Sequence, residues 1–297
     1  MNHRQLEYVV AIVEEGSFTQ AAIRCDVAQP SLSAAVARLE RDLGVSLFHR
    51  LGRRVEPTDA CLALLPSARD VIRSTRSVID SVSSTTDGLT GSLDLAVQPT
   101  VIATVVRLVG EFHRRFPGVR LRVHSPADDS VAELVESGRS ELGIGDVTPL
   151  RTGLRARPLW SEGYVCVDRA TRRRGSATEP CNPSTLATSA FIATPSGSPT
   201  REVLDAWFAA AAIAPIVSVE VDHREALLGL VGAGCGAAIV PASVASAAGA
   251  PRLRTRPLDP PVDRRIDIVF RPGALTPSAE RFLDLAVEVS SHLDPGD

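Results

Sequence analysis

Lysine is absent: every basic side chain of the 297-residue sequence other than histidine is arginine. Arginine keeps its charge at any working pH and can grip phosphate or guanine through two parallel N–H groups. The accompanying excess of alanine points to a GC-rich coding bias as the simplest cause. A net positive charge is absent as well. The formal charge is −3, which supplies no bulk attraction to nucleic acid, so any DNA site must come from local basic groups. Cysteine is sparse. Cys25, Cys61, Cys166, Cys181 and Cys235 are odd in number and widely spaced, with no CxxC and no Cys/His cluster, which argues against a disulfide framework or a zinc site. Free thiols suit a reducing cytosol, and a cytoplasmic protein is expected. No secretory signal is expected, because the apolar stretch Tyr8–Val13 runs straight into Glu14-Glu15. The charge-free run from Ala226 to Pro251 is long enough to span a bilayer. It carries Gly229, Gly232, Gly234, Gly236, Gly249 and Pro241, so a helix, a glycine turn, a buried strand and a second helix explain it better. No GxSxG, metal spacing, Walker or Rossmann fingerprint occurs. No catalytic residue, cofactor or metal is therefore expected.

A chain of this length exceeds what one hydrophobic core usually organises, so two or more domains are expected. Residues 2–14 carry a helical stripe at Leu6, Val9, Val10 and Val13, stopped by Gly16. Ser17 precedes a second short helix to Cys25. Pro30 suits the first turn of a third, which runs through Leu32, Val36 and Leu39 to Leu43 and closes at Gly44. This is a helix-turn-helix pattern. Strand-like pieces around Leu51-Gly52-Arg53-Arg54 then form a hairpin with a basic tip, a wing. Thr58-Asp59 opens a helix reaching about Asp87. Its apolar seam falls at Leu64, Ala68, Val71, Thr75, Val78 and Val82, a heptad-like spacing that suits packing against a second copy. Pro66 is expected to bend it. After Gly91 strands and helices alternate, and two open, mostly parallel sheets with a cleft between them are the economical packing.

Several motifs now stand in order. They are Gly16-Ser17-Phe18-Thr19-Gln20-Ala21-Ala22, Gln29-Pro30-Ser31-Leu32-Ser33, Leu39-Glu40, Leu43-Gly44-Val45-Ser46-Leu47-Phe48-His49-Arg50 and Pro57-Thr58. Together they resemble the LysR-type transcriptional regulators. The resemblance continues through Leu64-Leu65-Pro66-Ser67-Ala68-Arg69, Phe116-Pro117-Gly118-Val119 and Ala233-Gly234-Cys235-Gly236-Ala237-Ala238-Ile239-Val240-Pro241. It implies a winged helix-turn-helix over residues 1–58, a linker and dimerisation helix over 59–88, and an effector-binding α/β region over 89–297. That region would resemble the periplasmic binding proteins, with subdomain I near 91–162 and 267–293 and subdomain II near 163–266. The resemblance also implies tetramers that bend promoter DNA in response to a small-molecule effector. Three departures stand out. Ala34 and Ala35 replace the basic residue and Gln common after Ser33, Cys61 replaces a common Gly, and Ser125-Pro126-Ala127-Asp128 replaces a Glu-Gly-x-Ser/Thr pattern.

Gln29, Pro30, Ser31 and Ser33 fall on the first turn of the recognition helix, where Gln can pair with adenine and Ser with phosphate or bases; plain helix capping by Ser31 is the alternative. Arg50, Arg53 and Arg54 on the wing suit phosphate and minor-groove contact. In the α/β region, Pro99 and Thr100 end the first strand, Asp128 opens the next helix, Asp146 follows the third strand, and Thr194 and Ser196 follow a strand of the second half. Ligands of open α/β sheets bind at such strand ends, although Thr100 and Asp128 could equally be helix caps. A carboxylate at 128 would favour an effector bearing a hydrogen-bond donor or a positive group. Two other functions fit parts of the chain. One is thiol oxidation at Cys166 and Cys181, whose spacing does not resemble the motif of peroxide-sensing relatives. The other is solute binding without DNA, against which the first 60 residues argue.

Overall fold

The computed structural model describes residues 1–51, 54–125, 130–169, 179–222, 224–247 and 253–290. Helix α1 (His3–Glu15) starts at a capping box in which Asn2 accepts from the Gln5 N–H, and it stops at Gly16 in the left-handed conformation. Ser17 caps α2 (Phe18–Arg24), and α3 (Gln29–Leu43) ends at left-handed Gly44. Strands β1 (Phe48–Leu51) and β2 (Arg54–Pro57) pair antiparallel as the wing. Phe48 packs edge-on against Phe18 at 5.6 Å, and the Glu40 carboxylate accepts the Leu47 N–H at 2.7 Å. The first contact ties the wing to α2 and the second ties the chain entering it to α3.

Helix α4 (Asp59–Asp87) is capped by Thr58 and runs unbroken through Pro66. Its 29 residues span about 43 Å at 1.5 Å per residue. The proposed seam divides in two. Ala68 is buried in the N-terminal core with Cys61 and Leu65, and Leu64 packs against that core. Val71 and Val78 remain exposed, as does Leu62 in the first turn, and the Val82 side chain lies outside the described residues. The seam expected from Leu64 and Ala68 is thus corrected. A broad apolar stripe on one long helix serves two surroundings: Cys61, Leu65 and Ala68 complete the winged-helix core, while Val71 and Val78 stay exposed.

Beyond the linker, β3 (Gly91–Val97) leads through a 3-10 turn at Pro99–Val101 into α5 (Ile102–Arg115), β4 (Val119–His124), α6 (Val131–Glu136) and β5 (Leu142–Gly145). Strand β6 (Arg155–Arg169) follows, then α7 (Pro183–Leu186), β7 (Ala190–Ala193), α8 (Pro199–Ala210), β8 (Ile216–Glu220), α9 (Arg224–Ala233), β9 (Ala238–Pro241), α10 (Ala242–Ala247), β10 (Leu253–Pro257), β11 (Asp263–Phe270) and α11 (Pro277–Val289). Strands β4, β3 and β5 run parallel; β11, β6, β10 and β9 are joined antiparallel, and β7 and β8 form a small parallel pair.

Two separate, mostly parallel sheets were expected; instead one sheet continues through β6 from the first lobe into the second. Strand β6 runs through Pro158 and Gly163 without a break. Pro158 is accommodated at a register shift against Asp267, where a missing N–H costs least. The first lobe is built around Leu93, Leu95, Phe112, Ile144 and Phe282. In the second lobe, Cys166, Phe191, Trp207 and Phe208 form one cluster and Val167, Leu227 and Val240 another. Gly236 enters β9 at φ +153°, where an added Cβ would lie 2.4 Å from the Ala190 carbonyl oxygen.

Candidate DNA interface and effector cleft

The first turn of α3 stands clear of the core. Leu32, Val36 and Leu39 are buried, while Gln29, Pro30, Ser31, Ala34, Arg38 and Arg41 are exposed and Ser33 is half-buried. The N-cap residue is Ala28, and no side chain caps the helix. Ser31 is therefore not consumed as a cap, and its side chain stays exposed although its N–H donates to the Ala28 carbonyl oxygen at 3.0 Å. Ser31, Ala34 and Arg38 follow i, i+3, i+7 spacing, so Arg38 shares the face expected to meet bases. The sequence reading missed Arg38, although its spacing from Ser31 was available to find it. A bond from the Gln5 side-chain amide to the Ala35 carbonyl oxygen (3.1 Å) braces α3 on α1. Arg50 and Arg54 lie on the wing strands, Arg50 opposite Val55 and Arg54 opposite Leu51; their side chains are outside the described residues, as is the whole of Arg53.

At the ends of β3 and β5 the two lobes meet over a buried polar cluster. Arg264 of β11 and Glu162 of β6 form a bidentate ion pair, with Nη2 to Oε1 at 2.6 Å and Nε to Oε1 at 3.0 Å. Their side chains are 3% and 1% exposed. Arg264 also donates to Thr100 Oγ1 at 2.7 Å. Glu162 Oε2 accepts the Ser243 N–H at 2.8 Å, and the Ser243 hydroxyl donates to the Thr100 carbonyl oxygen at 3.3 Å. The Thr100 hydroxyl is thus held inside the hinge rather than offered at a helix end, and Pro99 begins the 3-10 turn beside it. The Tyr164 ring lies under Arg264 at 5.8 Å, and its hydroxyl bonds Thr200. Burial pushes the Tyr164 phenol up from its usual range, with Arg264 and Thr200 opposing that shift and Asp146 adding to it.

First-lobe Asp146 thus acts electrostatically on Tyr164 of β6. Asp146 is half-buried, with its N–H bonded to Gln98 Oε1 at 2.8 Å and its Oδ1 accepting the Thr148 N–H at 3.2 Å. Thr194 is buried with its hydroxyl 2.9 Å from Ser198, near the start of α8, whereas Ser196 is exposed on the loop between them. Asp128 lies outside the described residues. The cap of α6 comes from Ser130, in a capping box with Glu133, so capping by Asp128 is corrected. Sequence reasoning missed Glu162, Tyr164, Arg264 and Ser243. Charged residues in a strand read as outward-facing, and nothing local shows that two of them are paired across strands.

The thiols also fall into place. Cys61 fills the winged-helix core, and burial pushes its pKa up to about 11. Cys166 and Cys181 meet in the second lobe. The Cys166 thiol donates toward Cys181, which holds Cys181 down at about 7, while that bond and burial raise Cys166. Among the described residues no group of three or more His, Cys, Asp and Glu is placed to hold a metal, and no helix is long and apolar enough to cross a membrane.

Known proteins share this arrangement. The family model described as the LysR substrate binding domain matches residues 86–291, and that of bacterial regulatory helix-turn-helix proteins of the lysR family matches residues 3–62. The chain is 31% identical over 289 residues to the HTH-type transcriptional regulator TdfR of Cupriavidus pinatubonensis, covering 96% of this chain and 98% of that one. It is 28% identical over 306 residues to a hydrogen peroxide-inducible genes activator of Pectobacterium carotovorum, covering 99% and 97%. Full-length CbnR complexed with its target DNA shares the fold at a TM-score of 0.64 and 28% identity, covering 98% of this chain and 100% of CbnR. The chain belongs to the LysR family. It is a DNA-binding transcription regulator with an effector-binding domain, and not an enzyme.

The buried pair yields a stability prediction. Glu162→Leu strands Arg264 without its counter-charge and is expected to cost about 3–5 kcal/mol in denaturant unfolding. Adding Arg264→Met should recover much of that loss, because an apolar pair replaces an uncompensated charge. A double variant as unstable as the sum of its two single variants would contradict this account of the pair.

Proposed function

We propose that Gln29, Pro30, Ser31 and Ser33 read base edges while Arg50, Arg53 and Arg54 hold phosphate on promoter DNA. The observation that carries this reading is the exposed, uncapped first turn of α3, where no internal bond claims the side chain of Ser31. Ala34 and Ala35 can touch a thymine methyl but cannot read guanine, which leaves Gln29 and the two serines as the base readers and Arg38 as an added contact. Two copies pair along α4 through Val71, Thr75 and Val78, and pairs assemble into tetramers. The protein works in the cytoplasm, where the chromosome is.

A small effector binds between the lobes, where Asp146, Tyr164, Thr194 and Thr200 line the approach to the buried Thr100–Arg264–Glu162 cluster, with Pro99 and Ser196 at the rim. The Arg264 charge is already matched by Glu162, so Asp146 is left as the charge that meets the ligand. That favours an effector with a donor or cationic group, as a carboxylate at Asp128 would also do. The effector changes DNA binding only through its differential affinity for the two arrangements of the lobes.

A second reading rests on Cys166 and Cys181. The Cys181 thiolate would attack hydrogen peroxide, giving sulfenic acid and hydroxide; the Cys166 thiol would then displace water to form the disulfide. Both thiols are fully buried, so oxidation waits on local opening. Under this reading peroxide shifts DNA affinity and Cys181→Ser abolishes the shift. DNA binding indifferent to peroxide removes it.

Fluorescence titrations with a cognate promoter fragment and a random duplex separate the two kinds of DNA contact. Arg53→Ala is expected to weaken both duplexes alike and to reduce the salt slope by about one unit. Gln29→Ala is expected to weaken only the promoter fragment, by about 1–3 kcal/mol. Equal losses on both duplexes for Gln29→Ala would place that side chain on the phosphate backbone instead.

A further inference from the structure

A cleft of about 1290 Å³ lies between the DNA-binding unit and the first lobe, away from the groove between the lobes. That is larger than the usual pocket for a drug-sized ligand. One wall is α4, contributing Arg69, Arg73 and Arg76; the facing wall carries Arg122 of β4 and Arg139-Ser140 ahead of β5. Seven arginines and four carboxylates line it, an excess of positive charge in a chain whose formal charge is −3. Beyond these four, Glu15 pairs with Arg24 at 3.0 Å and Glu141 with Arg73 at 3.9 Å, so the weakly matched arginines are Arg76 and Arg122. Glu14 is shared between Arg24 (2.7 Å) and Arg69 (3.1 Å). Arg76 reaches Glu7 only at 3.9 Å, and Arg122 reaches Asp94 at 3.6 Å.

The walls also hold polar atoms that lack a partner. Ser140 is fully buried and its hydroxyl makes no hydrogen bond; Arg69 is 7% exposed and its Nε makes none. A buried donor left unmatched costs about 1–3 kcal/mol, so such atoms on the wall of a large polar cleft point to a ligand that would satisfy them. Burial lowers the pKa of Arg69, against the opposing pull of the Glu14 carboxylate.

We propose that this cleft is a second ligand site, distinct from the groove between the lobes, that takes a small multivalent anion bearing two or more phosphate or carboxylate groups. Arginine forks match both groups in bidentate fashion, and a ligand of that size reaches from the α4 arginines to Arg122 and Arg139. Bound there, it fixes the angle between the DNA-binding unit and the sensor. Its affinity and that for DNA must then influence each other reciprocally.

The test is calorimetric titration of the full chain with inorganic triphosphate and, separately, with citrate. Saturable binding of at least one probe is expected, with one site per chain, and the tighter probe identifies the anionic group preferred. Arg76→Gln combined with Arg122→Gln, both at exposed positions, should weaken that probe at least tenfold while leaving affinity for a random duplex within about twofold. Absence of saturable binding by either probe overturns the proposal. So does unchanged binding in the double variant, which would place the anion on another basic surface. A probe displaced by DNA and weakened by Arg53→Ala would place it on the DNA face and overturn the proposal equally. If the double variant instead shifts the oligomeric state in sedimentation while no anion binds, a second copy of the chain fills the cleft and the proposal falls.

Discussion

Arg69 holds three parts of the chain together from one position on α4. Its Nη2 pairs with Glu14 at the end of α1, and its Nη1 donates to the Ser137 carbonyl oxygen of the first lobe at 2.6 Å. Arg73, one turn on, donates to the Gly138 carbonyl oxygen at 2.8 Å, and Arg271 pairs with Asp70 beside them. The turn that accepts these bonds can approach because Gly138 is in the left-handed conformation. An added Cβ there would sit 3.3 Å from the Pro66 Cα. Helix α4 is therefore wall to the winged-helix core and seat for the sensor within one 29-residue element, and it leaves Val71 and Val78 exposed.

That arrangement gives the route by which a ligand in the sensor would reach DNA. The lobes are joined by β6 and β11, and the buried Arg264–Glu162 pair with Thr100 and Ser243 lies where those strands cross between them. Such a cluster tolerates little intermediate displacement, because a partly separated buried charge is costly. Movement of the first lobe then pulls on Ser137 and Gly138, and hence on Arg69 and Arg73.

The local grammar of the N-terminal unit was legible. Ser17, Thr58, Gly16 and Gly44 act within a few residues of themselves, so their caps could be read directly, and the motifs flanking Gln29 placed the recognition turn. What failed to show depends on distant partners. Leu64 and Val71 share one apolar stripe in sequence yet face different neighbours. Nothing local shows that β6 runs through Pro158 and Gly163 as one strand. Glu162 and Arg264 lie 102 positions apart, and each alone resembles an outward-facing strand charge. Asp128 and Arg53, two of the more pointed expectations, fall outside the described residues.

Scanning calorimetry with and without a duplex tests most directly whether α4 carries the coupling. In the wild-type chain, adding duplex DNA should raise the unfolding temperature of the sensor as well as that of the DNA-binding unit, since a ligand stabilises whatever unfolds with its site. In Arg69→Met with Arg73→Met, the DNA-binding unit alone should respond. A wild-type sensor transition that ignores DNA, or one that still follows it in the double variant, would contradict this account.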